Sequence, residues 1–217
     1  LNNPLAVKEK LLASIDSIQS ERDGSPITDL KIDNTQAEEI EQLTQELEGV
    51  NPNLYPLRVA PSLLQGTWQL LYSTAREIRS LSKLPLGLKV GKVYQVINIA
   101  DNTFFNLANV KHPLGLVSGY VKVTATFEAA KENSQAQPDK RLNVYFDKRY
   151  LSIEKIAGIV TPQLNPFKVQ NANNPRGRVA TLDITYLDET LRIGRGGDES
   201  LFILRKSDDL QSNPPPN

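Results

Sequence analysis

The sequence predicts a mainly β chain, an antiparallel barrel of about eight strands with two helices at its N-terminal side. Three observations lead there. Strand-like runs follow one another after Gly66, separated by polar or glycine-rich punctuation. No long crossover helix lies between them, so neighbouring runs pair antiparallel, and eight such strands close into a barrel able to hold one small ligand. Before residue 50 the apolar residues recur at helical spacing instead.

In chain order, residues 4–50 are helical. Ala6, Val7, Leu11, Leu12, Ile15 and Ile18 form one apolar stripe, and Gly24, Ser25 and Pro26 interrupt it. Asn34 or Thr35 opens a second helix, with Thr35 and Glu38 spaced as a capping box. Ile40, Leu43 and Leu47 give it an apolar stripe and Gly49 ends it, while Glu38, Glu39, Glu41, Glu46 and Glu48 read as a solvated face. The stretch 51–61 holds three prolines and reads as an irregular connector. The strands are expected at about 66–74, 92–99, 103–110, 118–129, 141–153, 178–187, 190–195 and 200–206. The fourth alternates most clearly: Val121, Val123, Ala125 and Phe127 share one face, and Lys122, Thr124, Thr126 and Glu128 the other. Residues 76–81 fit one helical turn, 131–140 a polar hairpin loop and 163–176 a long surface loop. The expected organisation is a helical segment over 1–62 packing on a barrel over 63–206. A disordered tail over 207–217 ends in Pro-Pro-Pro.

Composition narrows the chemistry. Lys+Arg and Asp+Glu are 25 each in 217 residues, so there is no basic field for nucleic acid. There is no cysteine and a single histidine, His112, which removes thiol chemistry, disulfides and multi-histidine metal sites. No metal or cofactor is expected. No apolar window approaches the roughly 18 residues that span a bilayer. No signal-peptide pattern stands at the start. Leu1 stands where an initiator methionine would, in a chain without methionine, so it reads as trimmed and the compartment is not legible from its first residues.

A repeat orients the barrel. Pro85-Leu86-Gly87-Leu88 is followed by Gly91, and Pro113-Leu114-Gly115-Leu116 by Gly119. Two strands separate the copies, so strand parity puts both loops on one rim, together with Ile156-Ala157-Gly158-Ile159-Val160 and the turn Gly196-Gly197. Leu86, Leu88, Leu114, Leu116 and Ile159 would then form an apolar rim, which either contacts a membrane, lipid or protein or folds inward as a lid. Parity places Gly66-Thr67-Trp68 at the opposite end. There Arg205 of the last strand is expected to cover the Trp68 indole by a cation–π contact, closing the barrel as in lipocalins.

Tyr186-Leu187-Asp188-Glu189-Thr190-Leu191-Arg192-Ile193-Gly194-Arg195-Gly196, followed by Ser200-Leu201-Phe202-Ile203-Leu204, resembles the signature of the PAP/fibrillin family of plastids and cyanobacteria. Leu47-Glu48-Gly49-Val50-Asn51-Pro52, the run from Gly66 to Thr74, Tyr94-Gln95-Val96-Ile97 and Phe104-Phe105-Asn106 agree with it. The resemblance spans roughly residues 5–206. It implies a lipocalin-like barrel peripheral to thylakoid membranes or lipid globules. It also implies non-enzymatic binding or transport of carotenoids, prenylquinones or similar isoprenoid lipids.

Candidate ligand contacts are Tyr72, Tyr94, Phe105, Phe127 and Tyr186, aromatic strand residues that serve either the core or a ligand. Arg192 and Arg195, three apart, point to opposite faces of a strand. One faces the interior and either holds a polar ligand head or pairs with Asp188, Glu189, Asp183 or Asp198. No catalytic residue is expected. Asp188-Glu189 reads as a turn, Gly194-Arg195-Gly196-Gly197 as a hairpin, and His112 with Ser118 and Asp101 lacks a nucleophile-elbow pattern. Two main readings stay open: a carrier for an isoprenoid lipid, and a structural or interaction protein that coats lipid bodies or binds an enzyme of isoprenoid synthesis. Interior volume separates them, since a carrier needs about 300 Å³ or more. A small isomerase or hydrolase is the third reading and requires a titratable group facing that interior.

Overall fold

The computed structural model describes residues 3–19, 24–81, 84, 87–130, 140–172 and 178–210. Helix α1 (Pro4–Gln19) opens with proline at its first turn, where a missing N–H costs nothing, and buries Val7, Leu11 and Ile15. A two-residue strand, β1 (Ile27–Thr28), follows and lies parallel to Tyr72 and Ser73, a pairing with no signal in so short a segment. Helix α2 (Asn34–Glu48) buries Ile40, Leu43, Thr44 and Leu47. Its capping box is Asp33 with Gln36, not Thr35 with Glu38. The Asp33 carboxylate accepts from the Gln36 N–H at 2.8 Å, and Gln36 Oε1 accepts from the Asp33 N–H at 3.3 Å. The expected irregular connector contains two short helices, α3 (Pro56–Val59) and α4 (Pro61–Leu64), each opened by a proline.

The barrel strands are β2 (Gly66–Ser73), β3 (Lys89–Asn98), β4 (Thr103–Lys111), β5 (Val117–Ala129) and β6 (Arg141–Ile156), then β9 (Ala180–Leu187), β10 (Leu191–Gly196) and β11 (Leu201–Lys206). Helix α5 (Arg76–Ser80) precedes β3, and two short strands, β7 (Ile159–Val160) and β8 (Lys168–Asn171), lie between β6 and β9. Neighbours run β2-β11-β10-β9-β6-β5-β4-β3, and β3 pairs back to β2, so eight antiparallel strands close into a barrel. Strand β8 falls within the stretch expected as a surface loop. Four residues with one apolar side chain carry no strand periodicity, and β8 is a strand only because β6 offers it an edge.

That edge follows from closure. From Gln69, the register partners Tyr94, Leu107 and Lys122 lead to Tyr150 on β6. The other way round, Arg205 and Leu191 lead to the end of β9, which meets β6 only at Arg141–Val144. A barrel closes with such a stagger when its strands tilt. The far half of β6 therefore runs past β9. Strand β8 covers Lys148–Leu151 and β7 covers Lys155–Ile156, leaving little unpaired backbone.

The wall carries two cores. Inside are Trp68, Leu70, Ile97, Phe104, Phe127, Leu142, Val144, Ile184, Leu187 and Leu204, with Leu64 of α4 beneath. Outside, on β2, β9, β10 and β11, Leu71, Tyr72, Tyr186, Leu191, Ile193, Leu201 and Ile203 pack against α1, β1 and α2. Ser207–Leu210, assigned from sequence to a disordered tail, fold back instead. Leu210 joins Tyr94, Leu107 and Tyr120 on the outer wall, and Asp209 accepts from Tyr94 Oη and Lys92 Nζ, each at 2.7 Å. Residues 211–217 and most of the expected 131–140 hairpin loop lie outside the described residues.

The repeat has a backbone cause. Gly87 and Gly115 both adopt left-handed φ, +71° and +69°, which other residues enter at a cost. The final glycines differ. A Cβ on Gly119 would lie 2.0 Å from the Ser152 carbonyl oxygen, whereas one on Gly91 would meet Asn109 Cβ at 3.7 Å. Gly119→Ala is expected to destabilise the protein by about 2 kcal/mol or more through forced backbone displacement. Gly91→Ala is expected to leave the thermal midpoint unchanged or slightly higher. Circular-dichroism melts of the two variants check the contrast.

Candidate functional site

Two places bring chemistry-bearing residues together, the barrel interior and the projecting end of β5 and β6. In the interior, Trp68 is fully buried and its indole N–H donates to the Leu64 carbonyl at 2.9 Å. Arg205 does not cover it. Register sets Lys206, not Arg205, opposite Trp68, so Arg205 points out of the barrel and donates to Asp16 of α1 at 2.7 Å. Lys206 takes the closing role. Its ammonium lies 4.4 Å from the indole centroid and donates to the Leu63 and Gln65 carbonyls. A second cation reaches the same ring, with Arg192 Cζ 5.1 Å from its centroid.

The two arginines divide as their spacing requires. Arg192 enters the barrel, with 3% of its surface exposed, and donates to Gln95 Oε1. Gln95 is held in turn by donating to Asn106 Oδ1 at 3.0 Å. Burial pushes the Arg192 guanidinium down to about 9, still charged at neutral pH. Arg195 lies outside and clamps α2 to the wall, donating to Glu48 at 2.8 Å and Glu41 at 2.7 Å. The pairing carboxylates come from α2, not from Asp183, Asp188, Glu189 or Asp198; Asp183 is held by Arg141 at 2.6 Å.

The aromatic candidates scatter. Only Phe127 faces the interior. Tyr72 lies between the wall and the helices, where burial, with the Asp29 and Glu41 charges, pushes its phenol up to about 12. Tyr186 joins the same outer core and donates to Asp188 at 2.8 Å. Tyr94 sits on the outer wall with Asp209, and Phe105 nearby takes the Lys122 ammonium over its face at 4.8 Å. These four do not share a pocket with Phe127, because the wall is buried on both faces over much of its circumference.

The interior is nearly filled. Its cavity, lined by Leu64, Gln95, Ile97, Phe104, Phe127, Leu142, Val144, Leu182 and Arg192, is about 20 Å³. A larger groove of about 410 Å³ lies outside the barrel between α1 and α2. His112 is on a loop, its Nδ1 accepting from the Leu114 N–H at 3.2 Å, away from this cavity.

At the projecting end, the Ala157 N–H donates to the Leu116 carbonyl at 2.8 Å, joining the loop after β4 to the turn after β6. Leu114 is 78% exposed, Ile159 71%, Val160 64% and Leu116 50%. Leu88, half-buried, precedes Lys89, whose partner Lys111 pairs with Ser118 at the same end. Leu86 lies outside the described residues. The turn Gly196-Gly197 does not join this patch. Gly196 is level with Leu182 and hence Leu142, far short of Ile156 along β6, because the stagger lets β5 and β6 outrun β10. Segments 108–120 and 145–171 carry Lys111, Lys148, Arg149, Lys155 and Lys168 against Asp147 and Glu154. Sequence reading found the apolar loops but missed this local excess of basic residues, which a net charge of zero conceals.

The PAP_fibrillin family model matches residues 8–205. Among curated relatives, the chain is 29% identical over 201 residues to plastoglobulin-1, chloroplastic, of Pisum sativum, covering 77% of this chain and 54% of that protein. It is 31% identical over 202 residues to probable plastid-lipid-associated protein 5, chloroplastic, of Arabidopsis thaliana, covering 93% and 70%. It is 30% identical over 155 residues to plastid-lipid-associated protein 6, chloroplastic, of the same plant, covering 65% and 52%. The chain thus spans from about half to seven tenths of the length of these relatives.

The Tyr186–Gly196 segment also holds a carboxylate knot. Burial works to raise the Asp188 carboxyl, but Lys8 Nζ, the N–H groups of Thr190 and Leu191, and the Tyr186 hydroxyl outweigh it and hold Asp188 below its ordinary value. Its contribution to stability is therefore complete above the unfolded value of about 3.9 and disappears as pH falls through the folded one. Asp188→Asn is expected to cost about 1–3 kcal/mol at pH 7. It should converge on the parent protein near pH 2. Urea midpoints across that range check it.

Proposed function

The chain belongs to the PAP/fibrillin family, and from that premise we propose that it is a non-enzymatic peripheral protein of lipid surfaces, coating lipid globules or thylakoid membranes through its projecting tip. The observation that carries this reading is the tip itself. Leu114, Leu116, Ile159 and Val160 stand exposed on two hydrogen-bonded turns, within segments rich in lysine. Exposed apolar side chains on paired, rigid backbone gain free energy when they enter an acyl layer, at about 25 cal/mol per Å² buried. Lysines around them add roughly 1 kcal/mol each against an anionic leaflet. No helix among the described residues is long and apolar enough to cross a membrane. The names of the relatives, plastoglobulin and plastid-lipid-associated protein, point toward the same setting.

The second reading, a carrier of an isoprenoid such as a carotenoid or prenylquinone, draws on Phe127 and Arg192 facing the barrel cavity. At about 20 Å³ that cavity is far below the roughly 300 Å³ a small-molecule site occupies. Carriage therefore requires the core to part, and the coat or interaction reading needs no such step.

Flotation with phosphatidylcholine vesicles containing about 30% phosphatidylglycerol tests the tip, the lysine contribution being expected to fall with salt. The parent protein is expected to float with them. The triple variant Leu114→Asp, Leu116→Asp, Ile159→Asp should stay at the bottom with an unchanged melting temperature. Lys111→Gln, Lys155→Gln, Lys168→Gln should lose the salt-sensitive part of binding. Equal flotation of the apolar triple variant and the parent would remove the tip from the account.

A further inference from the structure

Strand β8 covers the overhang of β6 and in doing so becomes an edge itself. Among the described residues it pairs with β6 and with no other strand. The ladder fixes which of its backbone groups are left over. The Ala172 N–H donates to the Asp147 carbonyl at 2.8 Å, so Asn171 and Lys148 form a widely spaced pair. Alternation then turns the N–H and C=O of Val169 and Asn171 away from β6. All four side chains of β8 are exposed. Val169 ends a row of register partners on the outer wall, after Tyr94, Leu107, Lys122 and Tyr150. On the opposite face Lys168 is level with Leu151, and Gln170 with Arg149. Neither Lys168 nor Arg149 pairs with a carboxylate among the described residues. Asp147, close by on β6, is turned to β5 instead, accepting from the Thr124 hydroxyl at 3.3 Å.

We propose that β8 is a docking edge, at which an extended acidic segment of a partner protein adds as a further strand. A bare edge accepts any extended chain unless something selects among them. Here charge selects. A second copy of β8 would bring Lys168 and Arg149 against their own kind, and like charges across a ladder repel. A segment that alternates carboxylates with apolar residues fits both faces. Its carboxylates meet Lys168 and Arg149 on one face, and its apolar side chain extends the row of Tyr150 and Val169 on the other. The outward groups of Val169 and Asn171 supply main-chain hydrogen bonds to any sequence, and the flanking side chains supply the choice. The edge lies beside the tip, but its use requires no lipid, so this inference stands apart from surface docking.

The full chain, isotopically labelled for NMR, is titrated with a capped hexapeptide alternating glutamate and valine, and separately with one alternating lysine and valine. Saturable shifts and slowed exchange of the Val169 and Asn171 amides are expected with the acidic peptide and not with the basic one. Val169→Pro removes one outward N–H and leaves the bonds to β6 in place, and is expected to weaken acidic binding by about tenfold. Arg149→Glu with Lys168→Glu should reverse the preference between the peptides, and this variant decides should the proline variant fail to fold. No saturable shift with the acidic peptide, equal binding of the two peptides, or undiminished binding by a folded Val169→Pro overturns the proposal. So does protection of both amides before peptide is added. Protection that grows with protein concentration would assign the edge to a second copy, and protection independent of concentration to another segment of this chain.

Discussion

Closure of the barrel with staggered strands is the constraint from which the rest follows. Eight strands join edge to edge only if the register climbs round the wall, and here the climb is absorbed on β6, which β9 meets at its first residues and no further. The overhanging half of β6 needs partners on the side that β9 leaves free, and the short strands β7 and β8 supply them. This leaves the β3–β6 side of the wall reaching past β10, with turns at its tip. Leu114 and Ile159 are exposed because that end extends past β10, and no described residue covers them there.

The interior tells a different story from an open calyx. Large side chains fill most of the space, Phe104 and Phe127 on the neighbouring strands β4 and β5 among them, at a centroid distance of 6.3 Å. What remains is polarised: one cation at the cavity and a second against the same indole, with a neutral amide between the wall and the guanidinium. Apolar cores ordinarily avoid such an arrangement, since replacing buried charge by packed hydrocarbon is often stabilising.

Much of this was legible in the residues, and the failures have physical causes. Alternation in β5 and the punctuation after Gly66 were enough for the strand count and for closure. The three-residue spacing of Arg192 and Arg195 placed them on opposite faces, but which faced inward was decided by the bulge between Ile193 and Gly194 and by α2, neither visible in a pattern. Tyr72 and Tyr186 could not be sorted because helices cover the outer wall, so both faces of those strands look apolar. Arg205 was misplaced for a related reason. A bulge between Ile203 and Leu204 shifts the register, and Lys206 falls opposite Trp68.

The outer core joins distant stretches of chain. Its members come from residues 7–72 and 186–203, and none from the strands between. On a ribosome the apolar stripes of α1 and α2 emerge more than a hundred residues before β9, β10 and β11 follow. The intervening strands can pair with one another during that interval, but the helices have only each other, β1 and β2 to lean on. The apolar faces of α1 and α2 are thus fully covered only once the last three strands have been made.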